Sequence, residues 1–398
     1  MRSIKTQIVG SNPERTRLHN RRLVLEQVRS LQPVGRAQIA RATHLSVQAV
    51  SNIIAELQSD GWLKESGRSS RGRGLPALLY TVKASGAAAL GVEVRPDAVM
   101  AALVDLSGTT RFTDRMDLSS TDPAHVAAIV RDLKLRALSA SKLAAHRLLG
   151  AGVVMPGPFG QVGLSDAGQS TLPNWSGTDA QALFTTALKV PVMLEHDSAA
   201  AALAERVGGV ATEVDDYCFI YFGTGVGLGM MHGGRIHRGA FGNAGELGHV
   251  VVEPNGNPCA CGNKGCLETY ISRFSVQQHM LKEGIDVNSS EQFQAIFDDR
   301  HPALMQWMAS AATRLAQAIG MLENLMDPQT IILGGAFPDD MFDYWINSMR
   351  MLPGTVAERP NRSLARVVRG ASGRMTASYG GAALILNDVF TPRLAAAS

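Results

Sequence analysis

Three of the four cysteines fall within eight residues, Cys259, Cys261 and Cys266, in a C-x-C-x4-C spacing shaped by Gly262 and Gly265. Thiolates this close cannot spread apart, so the loop that carries them has to fold around a shared point. Zinc takes thiolate and imidazole ligands in a tetrahedron, and His249, ten residues upstream of Cys259, is the obvious fourth ligand. Four protein ligands leave no open position, so Zn2+ held there is structural, one per chain. The bland alternative is free thiols in a glycine-rich loop. Cys218 lies in the apolar run Tyr217-Cys-Phe-Ile-Tyr-Phe222 and reads as core. Four cysteines in 398 residues do not make a disulfide scaffold.

Charge divides the chain. Residues 1–83 hold 14 Lys/Arg against 5 Asp/Glu, whereas the remainder holds 24 against 30. A basic segment joined to a mildly acidic body reads as a polyanion binder tethered to something else. No stretch reaches 18 apolar residues without a charge or breaker, which argues against membrane insertion. Met1 to Gly10 lacks the apolar core of a signal peptide. A soluble cytoplasmic protein is the expectation.

Within the basic segment, apolar spacing predicts a helix over 16–30, a short one over 36–42 and a third over 47–59. Thr43-His44-Leu45 is the tight connection, and Ser46 sits where an N-cap belongs. The apolar set of the third helix is Val47, Val50, Ile54 and Leu57. Strands over 62–65 and 77–82 follow, with a Gly/Arg loop between them. This order predicts a winged helix-turn-helix that places its third helix in the major groove of DNA. Gln48, Ser51 and Asn52 on its polar face are the candidate base readers. Arg68, Arg71 and Arg73 in the wing would meet phosphates or a narrow minor groove. A winged helix used for protein contacts is the rival, and the arginines disfavour it.

After Lys83 the character changes. Strands are expected over 89–94, 98–105, 110–116, 149–155 and 190–194, with helices over 125–140 and 198–207. A second cycle opens with the strand 217–222 and the glycine loop 223–229. It continues through the strand 330–333, a glycine turn at Gly334-Gly335 and a C-terminal helix around 379–386. Strands and helices in this order predict a mixed α/β architecture with helices against the sheets.

Gly239-Ala-Phe-Gly-Asn-Ala-Gly-Glu-Leu-Gly-His249, followed by Cys259-Ala-Cys-Gly-Asn-Lys-Gly-Cys-Leu-Glu268, is close to a family signature. Through it the chain resembles the ROK family of repressors, open reading frames and sugar kinases, over essentially its full length and in the regulator arrangement. The resemblance implies a two-lobed, actin-like sugar-kinase fold of ribonuclease-H-like units, with ligands in the cleft. The division it suggests is a DNA-binding domain over 1–83 and a sugar-binding domain over 84–398. The first lobe would span about 84–193 plus the C-terminal helix at about 376–398, and the second about 194–375. The family places a zinc-binding histidine at position 249. Carried over by motif, the sugar site comprises Asn174, Asp197, Glu246, His249 and Glu268, and Gly157 would let backbone approach the ring. His249 would give one nitrogen to zinc and the other to a hydroxyl. Where the family has Asn-Asp, this chain has His196-Asp197, a change that implies an altered or weaker ligand preference.

In the kinases of the family, the Asp at position 197 is the base, and ATP phosphates sit on a loop of the form Gly-Gly-Thr-Lys. The matching stretch here is Gly91-Val-Glu-Val-Arg-Pro-Asp97, without those residues, and Pro96 also removes an amide donor. Asp197 therefore reads as a vestigial base and a hydroxyl acceptor, and the chain as a regulator rather than an enzyme. The expected partners are operator DNA, a monosaccharide or sugar phosphate, and a second copy or more, as homodimer or homotetramer. The alternatives are a bifunctional sugar kinase and a DNA-tethered interaction module with a dead cleft.

Overall fold

The computed structural model describes residues 12–391 apart from 70–75, 157–171, 173, 176, 352–355, 357–358, 360–361 and 372. Helix α1 (Pro13–Leu31) starts at Asn12, whose side chain accepts the Arg15 N–H, and has proline at its first position. β1 (Val34–Gly35), α2 (Arg36–Thr43) and α3 (Val47–Ser59) follow. His44, in the left-handed region at φ 55°, makes the tight turn from α2 to α3. Ser46 caps α3 by accepting the Ala49 N–H at 3.1 Å. β2 (Leu63–Ser69) and β3 (Ala77–Val82) pair antiparallel, and β1 joins the other edge of β3.

One member of the expected apolar set of α3 leaves the core. Val50, Ile54 and Leu57 are buried with Ile53, but Val47 is 54% exposed. It is the first residue of the helix, one turn ahead of Val50, and stands beyond the packed face.

Two five-stranded sheets form the remainder. The first contains β4 (Ala88–Val94), β5 (Ala98–Asp105), β6 (Thr110–Asp117), β7 (Leu148–Met155) and β8 (Val192–His196). Helices α4 (Pro123–Ser141), α5 (Ala180–Leu188) and α6 (Asp197–Gly208) are interspersed or follow. The second contains β9 (Tyr217–Phe222), β10 (Val226–His232), β11 (Arg235–Ile236), β12 (Thr330–Gly335) and β13 (Val367–Arg369). Its helices are α7 (Glu268–Ile271), α8 (Arg273–Lys282), α9 (Ser290–Asp298), α10 (Pro302–Met326), α11 (Asp339–Ser348) and α12 (Thr376–Phe390).

The strand orders are β6-β5-β4-β7-β8 and β11-β10-β9-β12-β13. Counted within each sheet, both read 3-2-1-4-5, with an antiparallel hairpin on one side of the first strand and parallel strands on the other. Strands β4 and β5 are buried along their whole length, as covered faces require. The edge strand β6 alternates in exposure and carries Arg111, Arg115 and Asp117 outward.

Helices α6 and α12 lie against each other between the sheets, α12 on β4 and β7 and α6 on β9 and β10. The approach is backbone to backbone. A Cβ on Gly91 would stand 1.8 Å from the Ser378 carbonyl oxygen, and one on Gly380 would stand 1.9 Å from that of Ala200. Only glycine allows this contact.

The sequence expectations need three adjustments. β8 runs on through Glu195 and His196 because both continue its pairing with β7, so α6 opens at Asp197. Gly334 and Gly335 are not a turn; they pair with Tyr221 and Phe222 at the end of β12. The helices α5 and α7–α11 were not anticipated individually.

α12 also closes a hydrophobic cluster that begins in the N-terminal helices. Ala382, Ile385, Leu386 and Phe390 share it with Val24, Leu25, Val28, Val50 and Tyr80. Arg22 pairs with Asp388 at 3.1 Å, and the Arg29 guanidinium lies 5.1 Å from the Phe390 ring centre. The connection from Val82 to Ala88 is a single short 3-10 turn at Ala84–Gly86.

Candidate functional site

The ends of β4, β7, β8 and β9 and the start of α6 open on one cleft between the sheets, the usual place for ligands in open α/β sheets. Among its lining residues are His196, Asp197, Glu246, His249 and Glu268, so the structure brings these five sequence candidates together. Asp197, the first residue of α6, accepts the N–H of Ser198 at 2.7 Å. The β9–β10 glycine loop closes over it: a Cβ on Gly227 would lie 2.9 Å from that of Ser198. Burial and the nearby Glu93 charge push the Asp197 carboxyl up to about 7, partly opposed by the Ser198 N–H. Burial lowers the pKa of His196, against Glu195, Glu246 and a hydrogen bond to the Gly242 backbone. Next to it, the Arg238 guanidinium pairs with the buried Glu195. The end of β8 is thereby tied to the loop that carries Glu246.

Asn174 is exposed, in the left-handed region at φ 69°, and is not among the residues that line this cleft. Its neighbour Trp175 donates to the Thr121 carbonyl at 2.8 Å and stacks on Phe184. Gly157 lies outside the described residues.

Below Glu246 and Glu268, the donor atoms of His249, Cys259, Cys261 and Cys266 lie within 4.8 Å of one another, a cluster that can hold a metal ion. The loop gets there because Val251 bridges Cys266 and Pro258 bridges Lys264. The spacings fit a tetrahedral ion: zinc–sulfur bonds of about 2.3 Å imply edges of about 3.8 Å. Cys261 and Cys266 Sγ stand 3.6 Å apart, and Cys259 Sγ stands 3.6 Å from His249 Nδ1. His249 Nε2 faces the other way, 3.8 Å from Glu246. Burial acts to raise the Cys261 thiol, but the Asn263 backbone and neighbouring sulfurs outweigh it and hold it near 7. Cys218 is buried in β9, apart from this cluster, as its apolar neighbours suggested.

Beside Asp197, whose carboxyl feels the Glu93 charge, the cleft wall carries a bonded group that local sequence patterns did not reveal. Arg95 donates to both oxygens of Glu93, at 2.6 and 2.9 Å, and to the Tyr221 hydroxyl at 3.1 Å. Its guanidinium also reaches the Arg374 carbonyl at 3.0 Å, and Tyr221 donates to Glu93 at 2.7 Å. Glu93 is buried, and Arg95 and Tyr221 both bond to its carboxylate. Tyr221 was legible only as an apolar strand residue, because its partner is 128 positions away. Arg273 lines the cleft nearby with its Nε buried and without a hydrogen-bond partner among the described residues. Burial lowers its pKa, and Arg95, Arg115 and Arg374 add to that effect.

Far from the cleft, Gln48 and Asn52 are exposed on α3, and Ser51 is half-buried. Gln48 Nε2 donates to Asn52 Oδ1 at 3.0 Å, one helical turn apart. Arg68 is exposed on β2. Arg71 and Arg73 lie outside the described residues. Among the described residues, no helix is long and apolar enough to cross a membrane.

Comparison with known proteins places this geometry. The model of the ROK family matches residues 89–389, three quarters of the chain, and the chain belongs to that family. It is 28% identical to a xylose repressor of Bacillus spizizenii over 323 residues, covering 79% of this chain and 81% of the relative. It is 26% identical to the N-acetylglucosamine repressor of Escherichia coli O157:H7, covering 76% of this chain and 77% of the relative. Among solved structures, a ROK family transcriptional regulator described as a homolog of the E. coli MLC protein superposes with TM-score 0.75 at 23% identity. That match covers 94% of this chain and 97% of the other. A ROK family glucokinase from Streptomyces griseus, solved with glucose and AMPPNP, superposes with TM-score 0.58 at 25% identity, covering 75% of this chain and 98% of the other.

Proposed function

We propose that this chain is a DNA-binding transcriptional repressor of sugar uptake or catabolism genes, controlled by a sugar or sugar phosphate in the cleft. The observation that carries the reading is the contrast between two neighbouring polar groups of the cleft. Asp197, Glu246, His249 and Glu268 line it as a set of hydroxyl partners. Beside them, on the stretch where a kinase of this fold needs a phosphate loop, Arg95 is spent on Glu93 and Tyr221. Carboxylates arranged in this way accept paired hydrogen bonds from vicinal hydroxyls and reject an analogue lacking one.

Residues 1–83 are proposed as a winged helix-turn-helix and 84–398 as the sugar-binding body. In support, the likeness to the regulator covers 94% of this chain and that to the glucokinase 75%. The names of the sequence relatives, repressors for xylose and N-acetylglucosamine, point the same way. Gln48, Ser51 and Asn52 would meet base edges, and Arg68, Arg71 and Arg73 the backbone. A symmetric homodimer or homotetramer would supply the two half-sites that such modules need. His249, Cys259, Cys261 and Cys266 would hold Zn2+, which as a closed four-ligand centre supplies rigidity and not reactivity. That leaves His249 Nε2, Glu246 and Glu268 oriented toward the ligand.

The kinase reading has one observation of its own: Asp197 stands beside the glycine loop with its carboxyl at about 7, a value suited to a base. Thermal shift of the metal-loaded protein separates the readings. The panel is monosaccharides, amino sugars and their phosphates, each with and without ATP. A shift from one sugar without ATP, together with release of bound operator DNA by that sugar, is the expected result. A shift that needs ATP, with phosphoryl transfer, would replace the repressor with a kinase. No shift from any sugar would leave a regulator run by a protein partner.

A further inference from the structure

We propose that Val47 reads the methyl group of a thymine next to the adenine engaged by Gln48 and Asn52; the inference rests on the DNA-binding reading above. Val47 is the first residue of α3 and is 54% exposed, on a helix whose core side is completed by Val50, Ile53, Ile54 and Leu57 without it. More than half of its side chain is open to solvent, and it is the large apolar group at the end of the helix that enters the groove. The thymine C5-methyl is the one apolar feature of the major groove, and the groove end of a recognition helix is where it is met. A β-branched side chain has little rotamer freedom to lose in such a contact.

The neighbours narrow the choice further. Ser46, the other residue at this end, is already committed as the cap of α3, since its hydroxyl accepts the Ala49 N–H. Gln48 and Asn52 are joined by a hydrogen bond of 3.0 Å. The joined amides keep the Gln48 carbonyl as an acceptor and Asn52 N–H groups as donors, the complement of adenine N6–H and N7. Val47 precedes Gln48 in the chain, so its contact falls on the base pair beside that adenine. The excess of 14 basic over 5 acidic residues in 1–83 supplies the backbone attraction that seats the helix without choosing a sequence.

The test uses the full-length protein and a randomised duplex library, without sugar. Enriched duplexes are resynthesised with each thymine replaced in turn by deoxyuridine, which removes only the methyl. Binding is then measured at fixed salt. One thymine per half-site, beside an adenine, should weaken wild type about fourfold on replacement, the worth of about one buried methyl. Val47→Ala should lose a similar factor on the thymine duplex and be indifferent to deoxyuridine at that position. Its melting temperature should match wild type, because the side chain is outside the core. Deoxyuridine tolerated everywhere, or the same loss in Val47→Ala as in wild type, overturns the inference and leaves the DNA reading standing. A protein that enriches no sequence overturns both.

Discussion

Two neighbouring polar groups of the cleft are built around carboxylates and behave in opposite ways. In one, Glu246 and Glu268 line the cleft beside His249, with the cysteine loop behind them, and Asp197 stands at the start of α6. In the other, Glu93, Arg95 and Tyr221 satisfy one another. A carboxylate facing a cleft invites a ligand; a carboxylate bonded to its own arginine has already found one. The contrast is one of side-chain pairing, on two sheets of the same strand order.

The group backed by the cysteine loop offers the hardest way to break this contrast. Cys261→Ser should abolish bound metal, measured by mass spectrometry of the purified protein, and lower stability by about 5 kcal/mol or more. Sugar binding should disappear with it, because His249 and Glu268 lose their support. Metal retained at wild-type stoichiometry would contradict the cluster's role.

The bonded group should be the next most sensitive. Arg95→Ala leaves the Glu93 carboxylate buried with only Tyr221, and breaking a buried pair in this way costs about 3–5 kcal/mol. Urea unfolding measures it. A cost below about 1 kcal/mol would mean that water already reaches Glu93 and that this group is open.

Asp197 sharpens the contrast through pH. Its carboxyl is raised in the folded chain, to about 7 from 3.8, so the folded state holds a proton that the unfolded state releases. The stability this contributes is complete below about 4 and is lost as pH rises through about 7. Asp197→Asn should therefore match wild type near pH 4 and exceed it at pH 8 by on the order of 4 kcal/mol. The same variant should bind sugar about tenfold or more weakly at pH 8, where the charged acceptor is lost. A pH-independent difference in unfolding would remove the burial argument.

Tyr221→Phe is the mildest break. It removes one hydroxyl from the Glu93 group and should cost about 1–2 kcal/mol while leaving metal content and sugar affinity unchanged. A change in sugar affinity would show that the two groups are coupled.

Local pattern was enough for what local pattern controls. The strand Ala98–Asp105 and the helix Val47–Ser59 stand where their apolar spacing and flanking turns put them. The cysteine loop was legible because its ligands crowd into one short segment. The bonded group was not, since Arg95 reaches Tyr221 across 126 positions and Arg374 across 279. Val47 shows the opposite failure: its spacing was right for a core residue, but a helix can extend past the surface it packs on. Gly334 and Gly335 resembled a turn in isolation, and pairing with Tyr221 and Phe222 extends the strand through them. Asn174 was carried over by motif alone and lies exposed, outside the cleft lining.

The hydrophobic cluster shared by α1, α3 and α12 sets an order of events during synthesis. Arg22 is made 366 residues before its partner Asp388, and Val24, Leu25 and Val28 wait as long for Leu386 and Phe390. At ribosomal speeds of about 5–20 residues per second, that interval is on the order of 20–70 s. The helices that would meet DNA are thus made well before the helix that completes their packing. A nascent chain halted before α12 would carry every residue of that surface but lack Ala382, Ile385, Leu386 and Phe390, which close the cluster beneath it.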